Sequence, residues 1–235
     1  MNSKSLVIIP TYNEIENIEP LIHKVHGVLP ETSILVIDDN SQDGTTEMVE
    51  KIKSSDSRVD LIRRPGKLGL GTAYIAGFKY AIEKGYDFIF EMDGDFSHDP
   101  AYLPAFLTAA KEADLVIGSR YIPGGGVVNW SFFRKLISIG GSIYSRLILA
   151  MPYKDLTGGF KCFRREALMA IPLDDVFSEG YSFQIEMTYR VHKKGMRIRE
   201  IPIIFKERVG GKSKMSKKIF IEAIFRVWQI KLTSL

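Results

Sequence analysis

Phe88-Ile89-Phe90-Glu91-Met92-Asp93-Gly94-Asp95-Phe96-Ser97-His98-Asp99-Pro100 runs from an apolar strand straight into two carboxylates that bracket a glycine. Two acids this close at a strand end ionise together cheaply only if a cation lies between them. Hard oxygen donors of this kind suit Mg²⁺ or Mn²⁺, ions that keep open positions for water and substrate phosphate oxygens. An isolated Asp-x-Asp is more often an acidic turn that caps the next helix, because short motifs recur by chance. The neighbouring sequence has to separate the two readings.

Upstream, the plan of strand, loop and helix repeats. Leu6-Val7-Ile8-Ile9 is a continuous apolar run, the pattern of a strand buried on both faces of a parallel sheet. Pro10-Thr11-Tyr12-Asn13-Glu14 breaks it, and Ile15, Ile18, Leu21, Ile22, Val25 and Leu29 follow at helical spacing. Ile34-Leu35-Val36-Ile37 leads into Asp38-Asp39-Asn40-Ser41-Gln42-Asp43-Gly44 and a second helix from Thr45 to Ser54. A third strand, Val59 to Ile62, precedes the glycine-rich, cationic loop from Arg63 to Gly71 and a helix from Thr72 to Lys84. Open parallel sheets place ligands at the carboxyl ends of their strands. Tyr12, Glu14, Asp38, Asp39 and the Asp93/Asp95 pair are therefore expected on one rim. Downstream, Tyr102 to Ala113 is predicted helical and Asp114 to Gly118 a strand, which delivers Arg120 to the same edge.

The chain has 235 residues, 45% hydrophobic and 26% charged, enough for one large α/β domain or two small ones with a sizeable core. One cysteine, Cys162, excludes an internal disulfide framework and suits a reducing, cytoplasmic setting. Neither a signal-peptide core nor an uncharged run of the roughly 20 residues needed to span a bilayer is visible. The net charge of +4 is unevenly spread: from Arg190 onward 13 Lys and Arg face 3 Glu, a balance of +10, so residues 1–189 carry −6. Such a basic tail suits nucleic acid, anionic lipid or an anionic substrate, or is a solvated face. Its apolar stripes argue against nucleic acid, which calls for an exposed aromatic platform.

Beyond Gly124-Gly125-Gly126 the texture changes. Phe132, Phe133, Leu136, Ile137, Gly140, Ile143, Tyr144, Leu147 and Ile148 form a broad apolar stripe, which suits either a membrane interface or a core helix. The stretch from Asp155 to Phe163 reads as turn-rich, with helices on either side. A helix begins near Ser178 and runs to about Lys194, and Ile198 to Ile204 reads as a last strand. The glycine-rich loop carrying Arg208, Lys212 and Lys214 is either a flexible connector or a cationic flap that closes over anionic groups. Lys217 to Leu232 is amphipathic, with Ile219, Phe220, Ile224, Phe225, Trp228 and Leu232 as its apolar content. Together with the earlier stripe it points to a membrane surface.

In this order, Pro10-Thr11-Tyr12-Asn13-Glu14, Asp38 to Gly44, Asp93-Gly94-Asp95, Gly118-Ser119-Arg120-Tyr121 and Gly211-Lys212-Ser213-Lys214-Met215 resemble the motifs of family 2 glycosyltransferases of GT-A fold. The last two, with Thr157-Gly158-Gly159-Phe160 and Phe183-Gln184-Ile185-Glu186-Met187, are similar to the polyprenol-phosphate (dolichol-phosphate) mannosyltransferase branch. The resemblance implies an α/β fold with a mostly parallel, Rossmann-like sheet, and transfer of mannose from GDP-mannose to a polyprenyl phosphate with inversion. It implies that Pro10, Tyr12, Glu14 and Asp38 hold the nucleoside. Asp93 and Asp95 would bind Mg²⁺ or Mn²⁺ on the diphosphate, with the Gly94 backbone close by. Arg120, Arg208 and Lys214 would contact the phosphates, and with Asp95 form the catalytic set.

Many relatives carry Gln where this chain has Ser97, a shorter metal ligand. The implied organisation is a catalytic domain over 1–216 with an amphipathic insertion near 131–150, and a membrane-associating helix over 217–235. This places the chain peripherally on the cytoplasmic face of a membrane, with room for a membrane-spanning partner subunit. A UDP-sugar-dependent polyprenyl-phosphate transferase and a non-catalytic nucleotide-sugar-binding adaptor are the alternatives.

Overall fold

A computed structural model of the chain describes residues 3–206 and 217–233. Its centre is a seven-stranded sheet. The first half alternates as the apolar runs predict: β1 (Ser5–Thr11), α1 (Ile15–Val28), β2 (Ser33–Asp38), α2 (Thr45–Ser55), β3 (Val59–Arg63), α3 (Leu70–Glu83) and β4 (Phe88–Glu91). A 3-10 turn at Pro100–Tyr102 leads into α4 (Leu103–Ala110), and β5 (Leu115–Ser119) follows. The second half adds β6 (Gly126–Val128), α5 (Phe132–Leu149), β7 (Lys161–Arg164), α6 (Arg165–Met169), α7 (Gly180–Lys193), β8 (Ile198–Pro202), β9 (Ile204–Lys206) and α8 (Lys217–Thr233).

The strand order is β3-β2-β1-β4-β7-β5-β8, parallel throughout except for β7, which runs antiparallel to both neighbours. Two elements differ from what the sequence predicts. The stretch expected to be only turns between helices ends in β7, whose Lys161 lies opposite Glu91 on one side and Ile117 on the other. The antiparallel direction starts β7 at the rim where the other strands end, so residues 155–160 arrive there too. The single strand expected from Ile198 to Ile204 is broken at Ile203: β8 stays in the sheet, and β9 pairs with β6 in a separate two-stranded ribbon.

Alternation along each strand feeds two cores, because successive side chains point to opposite faces. Val7 and Ile9 pack with Ile18, Leu21, Ile22 and Val25 of α1, Val49 of α2 and Phe106 of α4. Leu6 and Ile8 pack with Tyr74 and Phe78 of α3, Leu168 of α6 and Phe183 and Met187 of α7. Each such side chain contributes about 1.5–3 kcal/mol by leaving water. Gly77 lets α3 lie directly on β1, since a methyl there would come within 2.8 Å of Ile8. A third, smaller cluster joins Leu149 of α5, Ile185 and Tyr189 of α7, and Val227 and Ile230 of α8.

Candidate active site

The strand-end loops enclose a cleft of about 750 Å³ lined by Pro10, Tyr12, Glu14, Asp39, Asp93, Gly94, Asp95, Ser97, His98 and Arg120, among others. The Asp93–Ser97 turn forms its floor. Phe96 has a φ of 61°, a conformation that bulky side chains rarely adopt. The backbone reverses there, which brings Asp95 and Ser97 to the same cleft. The Ser97 N–H donates to Asp95 Oδ1 at 3.1 Å, and the Tyr74 hydroxyl donates to Asp93 Oδ1 at 3.3 Å. His98 Nδ1 accepts the Asp93 N–H at 3.0 Å, so the ring's proton sits on Nε2. Burial pulls the His98 pKa below its ordinary value, which keeps the ring neutral. The Ser97 hydroxyl is buried and makes no hydrogen bond among the described residues.

Two carboxylates and an unpartnered hydroxyl oxygen are a donor set suited to a hard divalent ion that takes its remaining ligands from water and substrate. Among the described residues no group of three or more His, Cys, Asp or Glu could hold a metal by itself.

The loops after β1 and β2 are tied to one another. Thr11 and Asp38 face each other in the ladder, and Thr11 Oγ1 donates to Asp38 Oδ1 at 2.9 Å. The Ser41 N–H and the Thr46 hydroxyl fill Asp38 Oδ2 at 2.9 and 2.7 Å. Asp38 is thus spent inside the protein, below the rim. Asp39 reaches the cleft instead, ion-paired to Arg64 at 2.8 Å. Burial pushes the Asp39 carboxyl above its usual range despite that arginine. Tyr12 presents a half-open ring face, with Lys67 Nζ 4.2 Å from its centroid. Glu14 accepts from Asn17 Nδ2 at 2.8 Å while lining the same wall.

On the far wall Arg120 is neither a surface ion pair nor a loose cation. Its Nε and Nη2 donate to the two oxygens of buried Asp155, each at 2.7 Å, and Nη2 also reaches Thr157 Oγ1 at 2.9 Å. The guanidinium lies 5.2–5.5 Å from the ring centroids of Tyr121, Trp130 and Phe205. The expected Arg208 and Lys214 lie outside the described residues.

The model of the family described as "Glycosyl transferase family 2" matches residues 6–171, which hold the Asp93/Asp95 floor and Arg120. The chain belongs to glycosyl transferase family 2. This family 2 chain is 48% identical over 222 residues to an undecaprenyl-phosphate mannosyltransferase of Micrococcus luteus, covering 94% of this chain and 91% of that one. It is 45% identical over 232 residues to a polyprenol monophosphomannose synthase of Mycolicibacterium smegmatis, covering 97% and 88%. In fold it is similar to the crystal structure of glucosyl-3-phosphoglycerate synthase from Mycobacterium tuberculosis with Mn²⁺, UDP and glucosyl-3-phosphoglycerate. The TM-score is 0.67 at 16% identity, covering 99% of this chain and 80% of that one.

Several residues of this family 2 cleft carried no assigned role in the sequence. Asp155, Trp130 and Phe205 fix Arg120 from positions 35, 10 and 85 residues away, a convergence only the fold reveals. Arg134 of α5 and Arg226 of α8 also line the cleft.

Proposed function

We propose that the chain transfers mannose from GDP-mannose to a polyprenyl phosphate with inversion, at the cytoplasmic surface of a membrane. The observation that carries this reading is the near-full-length similarity to the two polyprenyl-phosphate mannosyl transferases. The cleft supplies the means. Tyr12, Pro10 and Glu14 form the nucleoside wall, and the Asp93–Ser97 turn lies beneath the diphosphate. Asp93 and Asp95, with Ser97 beside them, would hold Mg²⁺ or Mn²⁺, which supplies positive charge to the departing diphosphate. Arg120, kept in place by Asp155, adds a fixed cation at the opposite wall. The acceptor is an ionised phosphate near neutral pH, so its oxygen attacks without a strong general base; the neutral His98 is consistent with that.

The acceptor side is marked by α5 and α8. Both contribute to the small third core, and both leave apolar side chains outward: Leu136, Ile143 and Leu147 on one, Phe225, Trp228 and Leu232 on the other. Arg134 and Arg226 reach the cleft from these same helices, where a lipid phosphate would arrive from the membrane. No helix among the described residues is long and apolar enough to cross a membrane.

The deciding assay offers labelled GDP-mannose and UDP-glucose in parallel to the purified chain with polyprenyl phosphate and Mn²⁺ or Mg²⁺. Mannolipid from GDP-mannose is expected, with Asp95→Ala and EDTA each abolishing it. Product from UDP-glucose only would replace the donor, full activity in EDTA would remove the metal, and activity only with an added membrane protein would establish a partner subunit. For the membrane, the chain should float with anionic vesicles and Phe225→Ser/Trp228→Ser should float less. A wild-type chain that stays at the bottom of the gradient would sink the interfacial placement.

A further inference from the structure

Behind the Asp93–Ser97 turn, three elements converge on Gly159, the second glycine of Thr157-Gly158-Gly159-Phe160. A methyl built on Gly159 would lie 3.5 Å from His98 Cε1, 3.6 Å from Gln184 Nε2 and 4.0 Å from Asp93 Oδ1. All four residues line the cleft. Gln184, on α7, is only 2% exposed, yet neither its Nε2 nor its Oε1 makes a hydrogen bond among the described residues. It favours the ionised form of Glu91 beside it without meeting that carboxylate at hydrogen-bonding geometry. A buried amide with both ends unsatisfied costs roughly 1–3 kcal/mol in an empty protein, a penalty that a hydroxyl-bearing ligand would remove. The amide is also braced. Its own backbone carbonyl accepts Lys161 Nζ at 2.7 Å and the Thr188 hydroxyl at 2.9 Å, so the helix holds the side chain at a fixed height above the sheet. His98 Nδ1 is taken by the Asp93 N–H, which leaves Nε2–H as the ring's donor.

We propose that Gly159, Gln184 and His98 form the subsite for the transferred hexose, with the Gln184 amide and the His98 Nε2–H bonding its hydroxyls. This rests on the sugar-transfer reading and deepens it. A hydroxyl is both donor and acceptor, as is a carboxamide, so Gln184 can satisfy both of its ends on one polyol face. Gly159 is glycine because any side chain there would occupy the space the sugar ring needs. Sites built to hydrogen-bond a substrate hydroxyl discriminate strongly against analogues lacking it. Gln184 is therefore a specificity residue, distinct from the diphosphate-holding carboxylates.

The test compares the wild-type chain with Gln184→Ala and Gly159→Ala in two measurements. One is calorimetric affinity for the free nucleoside diphosphate, GDP or UDP, with Mn²⁺. The other is kcat/KM for the sugar nucleotide that the wild type uses, alongside its 2-, 3-, 4- and 6-deoxy analogues. Gly159→Ala meets only ordinary contact distances, so it folds and fills the subsite. Both variants are expected to bind the nucleotide within about twofold of wild type and to lose roughly tenfold or more in kcat/KM. At least one deoxy donor that the wild type uses poorly should lose nothing further in Gln184→Ala. Equal losses across every donor, a matching loss of nucleotide affinity, or kcat/KM within twofold of wild type in both variants would overturn the subsite. A wild-type chain that transfers no sugar overturns the transferase reading instead, and is seen before any variant is compared.

Discussion

Arg120 with Asp155 and Lys161 with Glu91 are both buried acid–base pairs beside β7, yet they are wired differently. Asp155 accepts both forks of Arg120 as well as the Arg120 and Gly158 N–H groups, so its oxygens are filled by donors. Burial alone would raise its pKa, but the Arg120 charge and hydrogen bonds prevail and hold the carboxyl below its usual range. Glu91 and Lys161 lie directly opposite across the β4–β7 ladder without a hydrogen bond between them. Lys161 spends its ammonium on the Gln184 carbonyl, and neither Glu91 oxygen has a hydrogen-bond partner among the described residues. Burial pushes Glu91 up to about 7, against the pull of Lys161, and brings Lys161 down to about 8. Burial is common to both pairs, so geometry decides which remains firmly charged. The rigid pair places a permanent cation in the cleft; the looser one is a strut under the proposed sugar subsite.

The largest difference should come from breaking each pair at one end. Asp155→Ala leaves a guanidinium buried with its carboxylate gone, and a loss of about 3–5 kcal/mol in unfolding free energy is expected by denaturant titration. Lys161→Met should lose less, about 1–3 kcal/mol, because Glu91 can take a proton at modest cost and what remains is the missing bond to the Gln184 carbonyl. Equal losses in the two variants would dissolve the distinction between the pairs. The double variant Arg120→Met/Asp155→Leu should recover much of the stability while staying inactive, which separates the fold's need for the pair from the reaction's need for the cation.

How much of this was legible in the sequence depends on how local the determinant is. Continuous apolar runs mark β1, β2, β4 and β5, since strands covered by helices on both faces need few polar positions, whereas the edge strand β3 shows only Val59, Leu61 and Ile62 around Asp60. Lys161-Cys162-Phe163-Arg164 gave no such signal: it is short and flanked by charge, and its Lys is tolerated only because Glu91 and the Gln184 carbonyl await it in the fold. The sequence puts Asp38 and Asp39 on the rim together, yet successive residues turn opposite ways, and only Asp39 meets the cleft. Amphipathicity in α8 is plain, but its apolar stripe as read from the sequence leaves out Val227 and Ile230, which are buried among the described residues. Which side of an amphipathic helix meets the protein depends on the neighbouring helices, and no local pattern encodes that.

The smallest effect, and the finest discrimination between the pairs, is the pH dependence on the acid side. The folded pKa of Asp155 lies below its unfolded value, so the unfolded chain binds more protons as pH falls through the carboxylate range near 4. The sign follows: the stabilisation from Asp155 is complete above that range and is lost as pH falls through the folded pKa. One such group contributes a slope of at most about 1.4 kcal/mol per pH unit. Asp43, Asp56, Asp60, Asp99 and Asp114 are also held low and acidify in the same direction, so the absolute curve cannot isolate Asp155. The difference between wild type and Asp155→Asn can, because the other carboxylates are common to both. Unfolding free energies at closely spaced pH values from 2.5 to 6 should converge as the pH drops, roughly within that slope. Parallel curves over the whole range would mean that Arg120 does not hold Asp155 ionised, and the two buried pairs would then differ in hydrogen bonding alone.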